Sequence, residues 1–127
     1  MDGYVPSLLR KYSSIRVNTL IKLYILNLLY DSPKHGYEIM KYLERALNAS
    51  IGPSQVYPFL HKLEKAGLLK INEVGPREKR VYSLTTDGRE FVRELLKRSL
   101  ILIKTAVEAL GPEEVCPQEY IKEICGC

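Results

Sequence analysis

The stretch from Thr86 to Leu110 constrains the fold most, because its apolar residues recur at helical spacing for longer than a small domain can cover. Val92, Leu96, Ile103, Val107 and Leu110, with the adjoining Phe91, Leu95, Leu102 and Ala106, form one stripe that stops at Gly111-Pro112. Thr86-Asp87 opens the segment with N-cap chemistry and an acidic first turn. A helix from Asp87 to Leu110 would run roughly 35 Å. A chain of 127 residues builds one core, so the far part of that stripe needs cover from elsewhere. Two-fold contact with a second copy is the commonest cover. A homodimer is therefore expected, with Leu96, Leu100, Ile103, Val107 and Leu110 of this helix covered by the same helix of a second copy or by its first helix, through Leu20 and Tyr24.

Upstream, the apolar positions from Ile15 to about Tyr30 cover most of a helix surface, which predicts burial on more than one face, and Asp31-Ser32-Pro33 ends the helix. Tyr37, Ile39, Met40, Leu43 and Leu47 predict a second helix over His35 to Leu47. Gly52-Pro53-Ser54 starts a third, which runs to about Ala66 before Gly67 stops it. Leu68 to Val74 and Val81 to Thr85 are rich in branched and aromatic residues, and Gly75 to Arg80 between them makes a hairpin with a charged tip. Residues 1–14 mix Gly, Pro and Ser with Arg10 and Lys11 and read as an arm or a short half-formed helix outside the core. The expected fold is mainly α with a small β-hairpin, a winged helix-turn-helix followed by a long C-terminal dimerisation helix. The expected division is an arm over 1–14, the winged domain over 15–85, the dimerisation helix over 86–111 and a cysteine-containing tail over 112–127.

Charge supports that order. Residues 1–82 carry 13 Lys/Arg against 7 Asp/Glu, and residues 83–127 carry 6 against 8, so the basic part precedes a mildly acidic one. A polyanion partner fits the first part, and double-stranded DNA fits the arrangement of elements. Val56, Phe59, Leu60 and Leu63 occupy one stripe of the third helix. Ser54, Pro58, His61 and Lys65 fall within about 40° of the opposite side, flanked by Gln55, Lys62 and Tyr57. Ser54, Gln55, His61, Lys62 and Lys65 are the expected base-edge or backbone contacts, and Arg77, Lys79 and Arg80 at the hairpin tip the expected phosphate contacts. Pro58 removes a helical hydrogen bond, and the expected outcome combines a slight kink that sets the docking angle with a Tyr57 contact to backbone or base at the groove edge.

Three blocks resemble the signature stretches of PadR-type transcriptional regulators: His35-Gly36-Tyr37-Glu38-Ile39, Tyr57-Pro58-Phe59-Leu60-His61-Lys62-Leu63-Glu64-Lys65-Ala66-Gly67-Leu68-Leu69, and Arg80-Val81-Tyr82-Ser83-Leu84-Thr85-Thr86-Asp87-Gly88. The resemblance covers about residues 20–90. It implies a homodimeric repressor whose third helices dock in successive major grooves of a pseudo-palindromic operator. It also implies a phosphate contact from Tyr37, with Lys41 on the same helix; the alternative is that Gly36 allows a tight helix entry and Tyr37 packs its ring in the core. The short C-terminal part looks like the smaller subgroup, some of whose members stack planar drugs on a tryptophan at the dimer interface. This chain has no Trp, and the residues identify no small-molecule effector.

No catalytic constellation is present: His35 and His61 are the two histidines, and no glycine-rich phosphate loop follows a strand. The expectation is a protein that is not an enzyme, carries no cofactor or metal, and stays in the cytoplasm, without a secretory signal or an apolar run of the roughly 20 residues a bilayer needs. Cys116, Cys125 and Cys127 sit in the last dozen residues. If Pro117 to Ile124 is helical, Cys116 and Cys125 lie about 13 Å apart, beyond disulfide reach, which leaves free thiols or a bridge between chains. Two other readings stay open: a winged protein-interaction module without specific DNA binding, and a thiol- or metal-responsive regulator acting through the cysteine tail.

Overall fold

The computed structural model describes residues 7–75, 79–111 and 114. Its elements run α1 (Ser7–Lys11), α2 (Leu20–Asp31), β1 (Lys34–His35), α3 (Gly36–Leu47), α4 (Pro53–Lys65), β2 (Leu69–Val74), β3 (Lys79–Leu84) and α5 (Thr86–Leu110). The third helix of the sequence reading is thus α4, and the long C-terminal helix is α5. Arg77 at the hairpin tip and Cys116, Cys125 and Cys127 lie outside the described residues. The chain divides into two compact units, one ending at Glu94 and one beginning at Leu95.

In the first unit α2, α3 and α4 pack against one another, and β2 and β3 close one side. Ile25, Leu26 and Leu29 of α2, Ile39 and Leu43 of α3, Val56, Leu60 and Leu63 of α4, Leu68, and Val92 of α5 make the innermost layer. Each such side chain contributes about 1.5–3 kcal/mol by leaving water. Thr19 caps α2, its hydroxyl accepting the Lys22 N–H at 3.3 Å, so this helix starts at Leu20 and not at Ile15. Burial on more than one face does not hold within the chain: α2 buries Ile25, Leu26 and Leu29 and leaves Leu20 and Tyr24 exposed.

The expected hairpin is two strands of a three-stranded antiparallel sheet in the order β1-β3-β2. Lys34 pairs with Tyr82 and His35 with Val81, while β2 meets β3 from Leu69 opposite Leu84 to Val74 opposite Lys79. The N-terminal segment, expected to lie outside the core, contributes to it. Tyr12 is 8% exposed, donates its hydroxyl proton to Asp87 Oδ2 at 3.0 Å and meets the Phe91 ring edge-on at 5.9 Å.

The junction before α5 is built by Thr85, one residue earlier than expected. Its hydroxyl accepts the Gly88 N–H at 3.0 Å and donates to the Gly67 carbonyl at 2.7 Å, and its N–H reaches the Leu68 carbonyl at 3.1 Å. One side chain therefore caps α5 and ties it to the end of α4, where Gly67 turns the chain at φ +80. In the second unit, α5 continues to Gly111 (φ +88) with Leu100, Ile101, Leu102, Ile103 and Leu110 exposed. No helix among the described residues is long and apolar enough to cross a membrane.

Candidate nucleic-acid interface

Alternation of apolar and polar residues decides which side of α4 is offered to a partner. Val56, Phe59, Leu60 and Leu63 are buried, and Ser54, Gln55, Tyr57, His61, Lys62 and Lys65 are exposed. Two of these polar groups are already engaged in local contacts. Gln55 Oε1 accepts the Gly52 N–H at 3.0 Å and so caps its own helix, which leaves its amide N–H groups free to face outward. His61 Nδ1 lies 3.7 Å from Glu64 Oε2, one turn along the same face. Lys62 and Lys65 are cations in the last turn, where they also suit the helix dipole.

Beside α4, the start of α3 and strand β3 enclose an open depression of about 530 Å³ lined by His35, Gly36, Tyr37, Glu38, Tyr57, Lys79, Arg80 and Tyr82. Gly36 makes this possible. A Cβ there would stand 2.5 Å from the Tyr57 hydroxyl oxygen and 2.7 Å from its ring, so the missing side chain is the space that Tyr57 fills. Tyr37 points its ring outward at 63% exposure, which removes the alternative that it packs in the core. The Lys41 ammonium sits 5.3 Å from the Tyr37 ring centre and 3.4 Å from Glu44 Oε2. Glu44, with a smaller part from Tyr37, raises the Lys41 pKa above the usual lysine value.

His35, Glu38 and Tyr82 contribute to the depression and were not singled out from the sequence. His35 holds the base of α3 to the hairpin: its Nδ1 pairs with the Arg80 carbonyl at 3.3 Å, and its N–H donates to Glu38 Oε1 at 3.0 Å. Tyr82 is nearly buried on the central strand. Burial raises its hydroxyl pKa and Tyr57 adds to the rise, while the Arg80 side chain opposes it through a hydrogen bond. Tyr82, Ser83 and Leu84 are buried in succession, so no period-two alternation marks Tyr82, and its place beside Tyr57 joins two distant segments and carries no local signal.

The described parts of the expected contact set therefore gather on one unit: the α4 stripe, Tyr37 and Lys41 on α3, and Lys79 and Arg80 on β3. Residues 25–94 match the sequence profile of the PadR-like family of transcriptional regulators. The chain belongs to this family. Transcriptional regulator Rv3488 of Mycobacterium tuberculosis is 36% identical over 76 residues, which cover 58% of this PadR-like chain and 70% of that protein. A 37.1 kDa protein in transposon Tn4556 of Streptomyces fradiae is 32% identical over 91 residues, 72% of this chain but 26% of that protein, so the chain spans about a quarter of its length. Among solved structures, a PadR-like transcription factor from Bacteroides fragilis is 26% identical with a TM-score of 0.57, covering 83% of this chain and 96% of its own. RosR of H. salinarum is 28% identical with a TM-score of 0.59, covering 67% and 76%. The PadR-like fold is mainly helical with a small antiparallel sheet, a winged helix-turn-helix followed by a long C-terminal helix.

Proposed function

We infer that this PadR-like regulator binds duplex DNA as a homodimer in the cytoplasm and represses transcription by occupying a pseudo-palindromic operator. Each α4 lies in a major groove, with Ser54, Gln55, His61, Lys62 and Lys65 toward base edges and backbone. Tyr37, Tyr57, Lys41, Lys79 and Arg80 meet phosphates, as does Arg77 at the tip. The observation that carries this reading is the two-sided character of α4: an apolar side locked into the core and a polar, cationic side left exposed next to the Tyr57, Lys79 and Arg80 depression. The homodimer reading is supported by the exposed Leu100, Ile103 and Leu110 of α5 in the second unit, and separately by Leu20 and Tyr24 of α2 in the first. Leu96 and Val107 are half-buried within the single chain and add less free area.

Fluorescence-anisotropy titration of a selected duplex at several salt concentrations tests the docking. Affinity is expected to fall steeply with salt, and replacing Lys62, Lys65, Lys79 and Arg80 together by Ala should lower the slope of log K against log salt by about 4 per protomer. An unchanged slope would refute the docking mode.

A further inference from the structure

The outward stripe of α4 has a proline where the helix needs a main-chain donor. Pro58 lies inside the helix and has no N–H, so the carbonyl oxygen of Ser54, four residues earlier, loses its helical partner. A proline ring also crowds the carbonyl four residues earlier in a helix. Ser54 and Pro58 are both exposed. At about 100° per residue, the space between them is the middle of the side opposite Val56, Leu60 and Leu63. The consequence is a main-chain acceptor that lacks its helical N–H donor, in the centre of the stripe that faces outward.

The neighbouring groups leave that acceptor a role. Gln55 Oε1 is taken by the Gly52 N–H, His61 Nδ1 is turned to Glu64, and the Tyr57 ring rests against Gly36. The residues flanking the carbonyl, Ser54 and Pro58, are short enough for the main chain to approach a base edge closely. In the major groove the exocyclic donors are the amino groups of adenine and cytosine, whereas guanine and thymine present oxygen there. We propose that the Ser54 main-chain carbonyl accepts a hydrogen bond from adenine N6 or cytosine N4 and thereby fixes one position of each half-site. This rests on the docking of α4 inferred above.

The test selects duplexes from a random pool with the wild-type chain, Pro58→Ala and Ser54→Ala, and compares their binding to the resulting operator. Pro58→Ala restores the N–H that occupies the Ser54 carbonyl and favours the helix, so its melting temperature should not fall. One half-site position should be adenine or cytosine. Replacing that base by purine or pyrimidin-2-one, which lack the amino group, should weaken wild-type binding about fivefold, the effect of one hydrogen bond. Pro58→Ala should bind both duplexes equally, and Ser54→Ala, whatever its affinity, should keep the wild-type ratio because it keeps the carbonyl. The proposal is overturned if no position loses affinity on removal of an amino group, if Pro58→Ala discriminates as the wild type does, or if Ser54→Ala loses the discrimination, which would assign it to the hydroxyl. Base substitution in the wild-type complex needs no variant, so a poorly folded Pro58→Ala would not protect the idea. If the wild type selects no duplex at all, the docking of α4 itself fails; if it selects duplexes and the ratios disagree, the carbonyl alone is refuted.

Discussion

At Gly36 a single hydrogen atom decides where Tyr57 stands. Gly36→Ala would bring a methyl group onto the Tyr57 hydroxyl and ring, and an exposed ring yields more easily than the α3 backbone. The expected result is a fold that survives with a loss of about 1 kcal/mol and a several-fold weaker duplex affinity, read by thermal melting and anisotropy on the same sample. Tyr82 gives a pH-dependent prediction. Burial, helped by Tyr57, holds its pKa above that of a free tyrosine, so the folded chain retains a proton that the unfolded chain releases. Its contribution is complete below about pH 10 and is lost as pH rises through the higher folded value. Melts between about pH 9 and 11.5 should therefore fall less steeply for Tyr82→Phe than for the wild type; parallel curves would contradict that assignment.

Among the elements, the link between the end of α4 and the start of α5 is the least tolerant. A Cβ on Gly88 would overlap the Leu68 carbonyl oxygen, which is main chain and cannot swing aside, and would press on Leu84 as well. Gly88→Ala is expected to cost about 3 kcal/mol, at the upper end of overpacking, in urea unfolding of the intact chain, whereas a loss below about 0.5 kcal/mol would mean the junction relaxes freely. The elements also differ in how legible they were. Residues over Tyr37 to Leu47 and Val56 to Leu63 repeat with helical period, and both helices lie where that period predicts. β1 has two residues, too few for any period, and exists because Lys34 and His35 find Tyr82 and Val81 across the sheet.

For the whole molecule, the prediction concerns association. Leu100 and Ile103 are exposed in the single chain, so Leu100→Ser with Ile103→Ser should leave the protomer folded while shifting sedimentation toward the monomer. Binding to a full two-fold operator should then drop to the affinity of one half-site. A variant that sediments as the wild type would place the contact between copies elsewhere. Phe91 and Val92 are fully buried, so the stripe of α5 serves the core of the first unit at its start, and in the second unit it is exposed from Leu100 to Ile103.

The sequence by itself determined the order of α2, α3, α4, the hairpin strands and α5, the inner and outer sides of α4 and the position of the charged hairpin, because periodicity, caps and turn residues act within a few neighbours along the chain. Only the tertiary structure decided that Tyr12 joins the core through Asp87 and Phe91, that Tyr57 fills the space Gly36 leaves, that β1 completes the sheet and that Thr85 ties α4 to α5. Those outcomes depend on segments far apart in sequence arriving at the same place, and the free energy of such contacts comes from packing and desolvation that no local pattern records.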